Sequence, residues 1–395
     1  MKLTALAALA FVFLGACACI VADVALNESA VRTDRGECDL TGAQGFSVVA
    51  EFGSVKAVAT AGGPEVDAST RVRWEAVITA RGRTVEEARA ALDRYRVEVR
   101  EGADGVVRLA LVGEPLTVDD AHGRRTLSAW ASFDVAAPQG VRLTAQSGAG
   151  PVTVSGPFGE VRARSSFGAV RVTGARGDVD ARAESGAVDL EDVRGGAASA
   201  ASGFGRVAVA GGAAALVARS DSGAVSIRDW AGDVEARSGF GHVDVERGRG
   251  AVLARSESGR VSVSEWTGDV AARSGFGEVR IDGVLTDVDA RSESGSVTVT
   301  ARPGSAVRDD WNAETGFGSV TFVAATALNG DVAARTGFGR IDCEGIATAI
   351  ERSADGKRLA ARLGEGGRRI SLRFRTLARR RAVRRPVPPD RRGDP

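Results

Sequence analysis

The stretch GFGHVDVERGRGAVLARSESGRVSVSEWTGDVAARSGFGEVRI, residues 239–281, decides how this chain folds. Val243 and Val245 follow Gly241 at two and four residues; Val252 and Ala254 follow it at eleven and thirteen. Eighteen residues on, Val261/Val263 and Val270/Ala272 repeat the arrangement after Gly259. Each pair has period two, the pattern of a strand with one buried face. Two such strands per repeat leave room only for short turns.

The unit recurs on both sides of this stretch. Its leading glycines are Gly150, Gly168, Gly186, Gly205, Gly223, Gly241, Gly259, Gly277 and Gly295, spaced by 18 residues with one step of 19. Gly318 and Gly339 continue the series after steps of 23 and 21. A fixed period of this kind signals stacked repeats. A left-handed hexapeptide helix also uses eighteen residues per coil, but it wants apolar residues every six, and here they run 2, 7, 2, 7. An antiparallel meander is compatible with spacing alone. We favour a slim two-faced parallel β-solenoid in which equivalent residues stack about 4.8 Å apart, giving a rod of roughly 50 Å. The expected fold class is therefore all-β, a β-helix of 18-residue coils spanning 146–350, with a small N-terminal α+β cap over 46–145. Above the coil lies a 36-residue period: Phe167, Phe204, Phe240 and Phe276 alternate with Ser185, Ser222, Ser258 and Ser294 before the leading glycine. The expectation is that large and small side chains alternate to relieve crowding at a packed corner.

The region 46–145 reads as non-repetitive. Val72, Trp74, Ala76 and Ile78 alternate along a strand, and Thr84-Val85-Glu86-Glu87 is a capping box ahead of a short helix. Tyr95–Val99 and Val106–Leu111 flank Ala103-Asp104-Gly105 as a hairpin.

The N-terminus bears on compartment. Met1-Lys2 is a short positive end, and Leu3 to Leu14 is an apolar run suited to a signal-peptide core. Leu14-Gly15-Ala16-Cys17 resembles the bacterial lipobox, which implies a signal segment over 1–22, lipidation of Cys17, export, and anchoring to a bacterial membrane surface, periplasmic or external. The alternative is an ordinary secretory signal cut near Ala22. Cys19 and Cys38 are close enough in sequence for a bridge in an oxidising envelope, whereas Cys343 falls where an inward strand residue belongs. Residues 353–395 include Arg379-Arg380-Arg381 and Pro386-Val387-Pro388-Pro389 and read as a basic, disordered tail.

Three features in order resemble the DUF4097 family of β-strand-repeat proteins of bacterial envelopes, labelled as adhesins. They are the helix Thr84–Arg89 ahead of a hairpin, the strand Ala131–Ala136 leading into Pro138-Gln139-Gly140-Val141, and the Gly-x-Val-x-Val and Gly-Asp-Val-x-Ala-Arg units. The resemblance covers residues 46–345 and implies an exported or surface-associated β-helical protein. It supplies no catalytic residues.

Composition narrows the chemistry. With 52 Lys+Arg against 51 Asp+Glu there is no basic excess to favour nucleic acid. With only His122 and His242, and four cysteines in no zinc spacing, neither a metal site nor a cofactor is expected. The clearest outward feature is an arginine column of Arg164, Arg182, Arg219, Arg237, Arg255, Arg273, Arg291 and Arg335. Glu184, Asp221, Glu257 and Glu293, or Asp178, Asp233, Asp269 and Asp287, are the candidate neutralisers. Such a column is either a solvated salt-bridge ladder or an anion- or glycan-binding ridge for lipid phosphate or acidic sugar. Trp230 and Trp266, one 36-residue period apart, either stack on sugar rings or cover the edges of their own coils. Carboxylate neighbours such as Glu191/Asp192 and Asp309/Asp310 would need a cleft and a separation of about 5–10 Å to act as glycosidase pairs.

The expected function is a non-enzymatic adhesive or structural scaffold that meets a polysaccharide, a lipid phosphate or an envelope protein. The alternatives are an envelope-stress or regulatory component that binds a signal molecule, and a polysaccharide-processing enzyme.

Overall fold

The computed structural model describes residues 28–60, 70–120, 123–325, 327–336 and 347–374. Strands dominate, and the single helix among these residues is Val85–Leu92. The repeats form a parallel β-solenoid with two strands per coil. Val234–Ser238 pairs with Leu216–Ser220 before it and Val252–Ser256 after it, placing Arg237 beside Arg219 and Arg255. On the other side of the coil, Val243 stands between Val225 and Val261. The two ladders join into one continuous sheet where Val261–Ser274 and Val279–Ser292 run straight through a corner.

The interior is narrow because the inward residues are small and β-branched. Val234 and Ala236 from one ladder meet Val243 and Val245 from the other, all buried. At about 0.8 kcal/mol per buried methylene, no single coil gains enough to hold itself, so stability accumulates only by stacking.

One corner is pinned by a repeated polar device. The buried Ser238 hydroxyl donates to the carbonyl of Gly223 in the preceding coil and accepts from the amide of Gly241, both at 2.9 Å. The same two bonds recur at Ser147, Ser165, Ser202, Ser220, Ser256, Ser274 and Ser292. Ala183 takes the equivalent place in the coil led by Gly186. The leading glycine is required by close approach: a Cβ on Gly241 would stand 2.3 Å from the Gly223 carbonyl oxygen.

The cap departs from its sequence reading in one respect. Gly45–Ala50 and Val55–Thr60 lie parallel to Leu143–Ser147 and Val152–Ser155 and form the first true coil, with Glu51-Phe52-Gly53 at its corner. Phe52-Gly53-x-Val55-x-Ala57 is the repeat motif, masked in sequence by an insertion before Gly150. That insertion folds back over the end of the rod. Val106–Gly113 and Ala129–Pro138 stack on this coil, then Arg71–Gly82 and Glu28–Asp39 close the edge antiparallel. The Thr84 hydroxyl caps the helix by accepting from the Glu87 amide at 3.2 Å, while the Glu87 carboxylate accepts from the Arg83 amide at 2.9 Å.

The other end also differs. Arg358–Leu363 and Arg369–Phe374, which fall in the segment read as a tail, are strands. Arg369–Phe374 inserts between Trp311–Thr315 and Gly330–Thr336, parallel to both. Period-two burial of Leu359, Ala361 and Leu363 and of Ile370 accounts for their order; the flanking arginines obscured it. The lipobox with Cys17 and Cys19, His122, Cys343 and the arginine run from 379 onward lie outside the described residues.

Candidate binding ridge

Equivalent positions stack in register, so outward side chains run along the rod in columns. The arginine column is built as the repeat requires, but its partners were not among the expected ones. Asp180 accepts from Arg164 and Arg182 at 3.3 and 2.8 Å. Glu235 accepts from Arg219 and Arg237 at 2.5 and 2.9 Å. Asp289 accepts from Arg273 and Arg291 at 2.7 and 2.9 Å. Each clamp uses an acid two residues before an arginine on the same strand, where period two puts both on one face. The sequence signal, Asp180-Ala181-Arg182 and its equivalents, was available. Arg255 lies between two clamps and makes no ion pair with another described residue. An exposed, internally paired ladder of this kind contributes little to stability and has most of its charge already satisfied.

The expected neutralisers do other work. Asp178 and Asp233 accept the amides of Ala197 and Ala251 in the next coil at 2.8 and 3.0 Å. Burial pushes the Asp287 carboxyl above its ordinary value, helped by the nearby charges of Asp269, Asp309 and Asp289. Glu184, Asp221, Glu257 and Glu293 stand exposed at the opposite corner.

Trp230 and Trp266 are core residues, 1% and 0% exposed, so they offer no face to a sugar. Their indole nitrogens donate to the carbonyls of Ala214 and Gly250 in the preceding coils at 2.9 and 2.8 Å. The rings lie over Gly212 and Gly248, where a Cβ would come within 2.2 Å of Trp230 and Trp266.

The phenylalanine series is the main correction. Phe167, Phe204, Phe240 and Phe276 are 69–72% exposed rather than packed in the corner. Phe52 and Phe317 extend the column at 61% and 48%. The reason lies at the leading glycines, whose backbones approach too closely to admit an inward side chain there. Between successive phenylalanines stands a coil with Ala149 or with an acid–serine pair: Glu184-Ser185, Asp221-Ser222, Glu257-Ser258, Glu293-Ser294, all exposed. The result is a ridge carrying one phenyl group every second coil, about 9.6 Å apart at 4.8 Å per coil, with carboxylates in the gaps.

One member of each candidate carboxylate pair has a partner in the structure. Asp192 bonds Arg194 at 2.7 Å, and Asp310 accepts the Arg369 amide at 3.1 Å. Among the described residues no group of three or more His, Cys, Asp and Glu is arranged to hold a metal ion. The Cys38 thiol is half-buried and pushed up to about 11, mainly by burial and then by Asp39, so it stays protonated at neutral pH.

No family model matches the chain, so the likeness to DUF4097 stays a resemblance, and no curated protein matches it. Among solved structures, one described as a "putative cell adhesion protein from Clostridium sporogenes" aligns over 88% of this chain and 95% of its own, at 7% identity and a TM-score of 0.17. At that TM-score the superposition bears on neither fold nor function.

Proposed function

We propose that the protein is a non-enzymatic binding scaffold of the bacterial envelope, held to a membrane through Cys17 and engaging its partner along the phenylalanine ridge. One observation carries this reading: a row of phenyl groups, 69–72% exposed in the central coils, repeated at every second coil. Aromatic side chains are the usual energetic anchors of interfaces, and these stand on the backbone of a stacked rod, so only side-chain torsions have to be fixed on contact. The arginine column is secondary, because its charges are spent on Asp180, Glu235 and Asp289.

The test is binding of the full chain to bacterial envelope preparations and to a polysaccharide array. The triple variant Phe204→Ser, Phe240→Ser, Phe276→Ser should lose at least tenfold in affinity with an unchanged circular-dichroism melting curve. Replacing Arg237, Arg255 and Arg273 by Gln should leave binding within about twofold. Full retention of binding by the phenylalanine variant, or turnover of a polysaccharide by the wild-type chain, would refute the reading.

A further inference from the structure

We infer that the ridge recognises a second copy of this chain, and that two rods pair antiparallel along it with an offset of one coil. The inference rests on the ridge being the binding surface and names its occupant.

The first support is periodicity. A rigid row of phenyl groups, one every second coil, can be engaged along its whole length only by a surface with the same repeat. Another copy has that repeat by construction. The second is shape. Between Phe240 and Phe276 the corner narrows to Glu257-Ser258-Gly259, and between Phe204 and Phe240 to Asp221-Ser222-Gly223. These gaps have no bulk beyond the carboxylates, and a phenyl ring from outside can enter each. Matching ring to gap demands that one rod be displaced by a single coil.

Symmetry then selects the direction. A two-fold axis parallel to the rods would put Phe against Phe in register, so offset pairing that closes on itself needs a two-fold axis across the rods. With that axis between the coils of Phe240 and Ser258, the rings of Phe204, Phe240, Phe276 and Phe317 face the partner's coils carrying Ser294, Ser258, Ser222 and Ser185. All four contacts and their symmetry mates form together. Four rings exposed to this degree would bury about 100–150 Å² each. With the walls of the four gaps that receive the partner's rings, the area per chain comes to roughly 800 Å², the size of an ordinary stable interface. Charge adds nothing to the match: an axis across the rods keeps each residue on its own side of the ridge, so Arg206, His242 and Glu278 face the partner's Ser296, Arg260 and Ala224. The phenylalanines must therefore carry the affinity.

The arrangement has a consequence for function. Antiparallel rods place their N-terminal caps at opposite ends of the pair, and a membrane anchor preceding each cap would then serve a different end. Such a dimer bridges two facing membranes instead of clustering on one.

The deciding experiment is sedimentation velocity on the full chain carrying Cys17→Ser, with two variants chosen to pull in opposite directions. Wild-type protein should form dimers. Phe204→Ser/Phe240→Ser/Phe276→Ser should weaken dimerisation more than tenfold. Ser222→Phe/Ser258→Phe adds apolar surface but fills the receiving gaps, and it too should weaken dimerisation by tenfold or more. Stronger association of the gap-filled variant would mean nonspecific stickiness and overturn the register. A wild-type chain that stays monomeric at every accessible concentration would overturn self-pairing outright. If envelope or glycan binding were nevertheless lost in the Phe→Ser variant, the ridge would stand as the binding surface with a different occupant.

Discussion

Two aromatic columns share the same two-coil rhythm and end in opposite places. Trp230 and Trp266 turn inward and are fully covered; Phe204, Phe240 and Phe276 turn outward and are left bare. Both follow a corner of the coil. The difference is what the neighbouring coil offers. Opposite each tryptophan the preceding coil carries Gly212 or Gly248, which leaves a socket of ring size, and a free carbonyl at Ala214 or Gly250 takes the indole proton. At the phenylalanine corner the glycines themselves stack backbone on backbone, and the remaining space is taken by the serine hydroxyls. An aromatic period in sequence therefore says that something repeats, not that it is buried.

The contrast can be broken at several points. The largest expected effect is Trp266→Ala, which empties a socket in the middle of the rod and should cost about 3–5 kcal/mol in a chemical denaturation series. Gly248→Val attacks the same contact from the other side. It drives a branched side chain into the Trp266 ring and the Trp230 carbonyl, and should cost about 1–3 kcal/mol or more. Ser238→Ala at the opposite corner leaves a buried glycine carbonyl and amide without their shared hydroxyl, for about 1–2 kcal/mol. The reverse change, Ala183→Ser, restores the missing member of that column and should raise the melting temperature.

A smaller effect separates the corners by pH. Burial raises the Asp287 carboxyl, so the folded chain holds that proton to higher pH than the unfolded chain does. Stability from this group thus falls as pH rises through the shifted range. Asp287→Asn should increase the melting temperature at pH 7, with the gain gone by about pH 3, where both states are protonated. Least of all, Phe240→Ser should change stability by less than about 0.5 kcal/mol, as for an exposed site. A loss of 2 kcal/mol or more there would mean that the ring is packed after all, and the distinction between the corners would fail.

Much of the architecture is legible in the amino-acid sequence. Period two within each unit, the constant 18-residue step and the small inward side chains together specify a narrow parallel stack, and Val243, Val245, Val252 and Ala254 occupy the places that pattern assigns. The capped helix and the hairpin around Asp104 were equally local and equally readable. The first coil was missed because the fold-back of the cap separates Gly53 from Gly150. The last strand was missed because it is not a neighbour in sequence of either strand it joins. The arginine partners lie two residues away along the same strand, as in Asp180–Arg182, Glu235–Arg237 and Asp289–Arg291, and not across the turns.

By itself, then, the sequence determined the coil: its length, its two strands, its inward residues and the glycines and serines at its corner, since all of these follow from contacts between a residue and its equivalent one period away. Only the tertiary structure decided which repeated side chains are buried and which are offered to a partner. That outcome depends on the free volume left by the adjacent coil, a Gly212 beneath one ring and a stacked backbone beneath another, and composition at a single position carries no record of it.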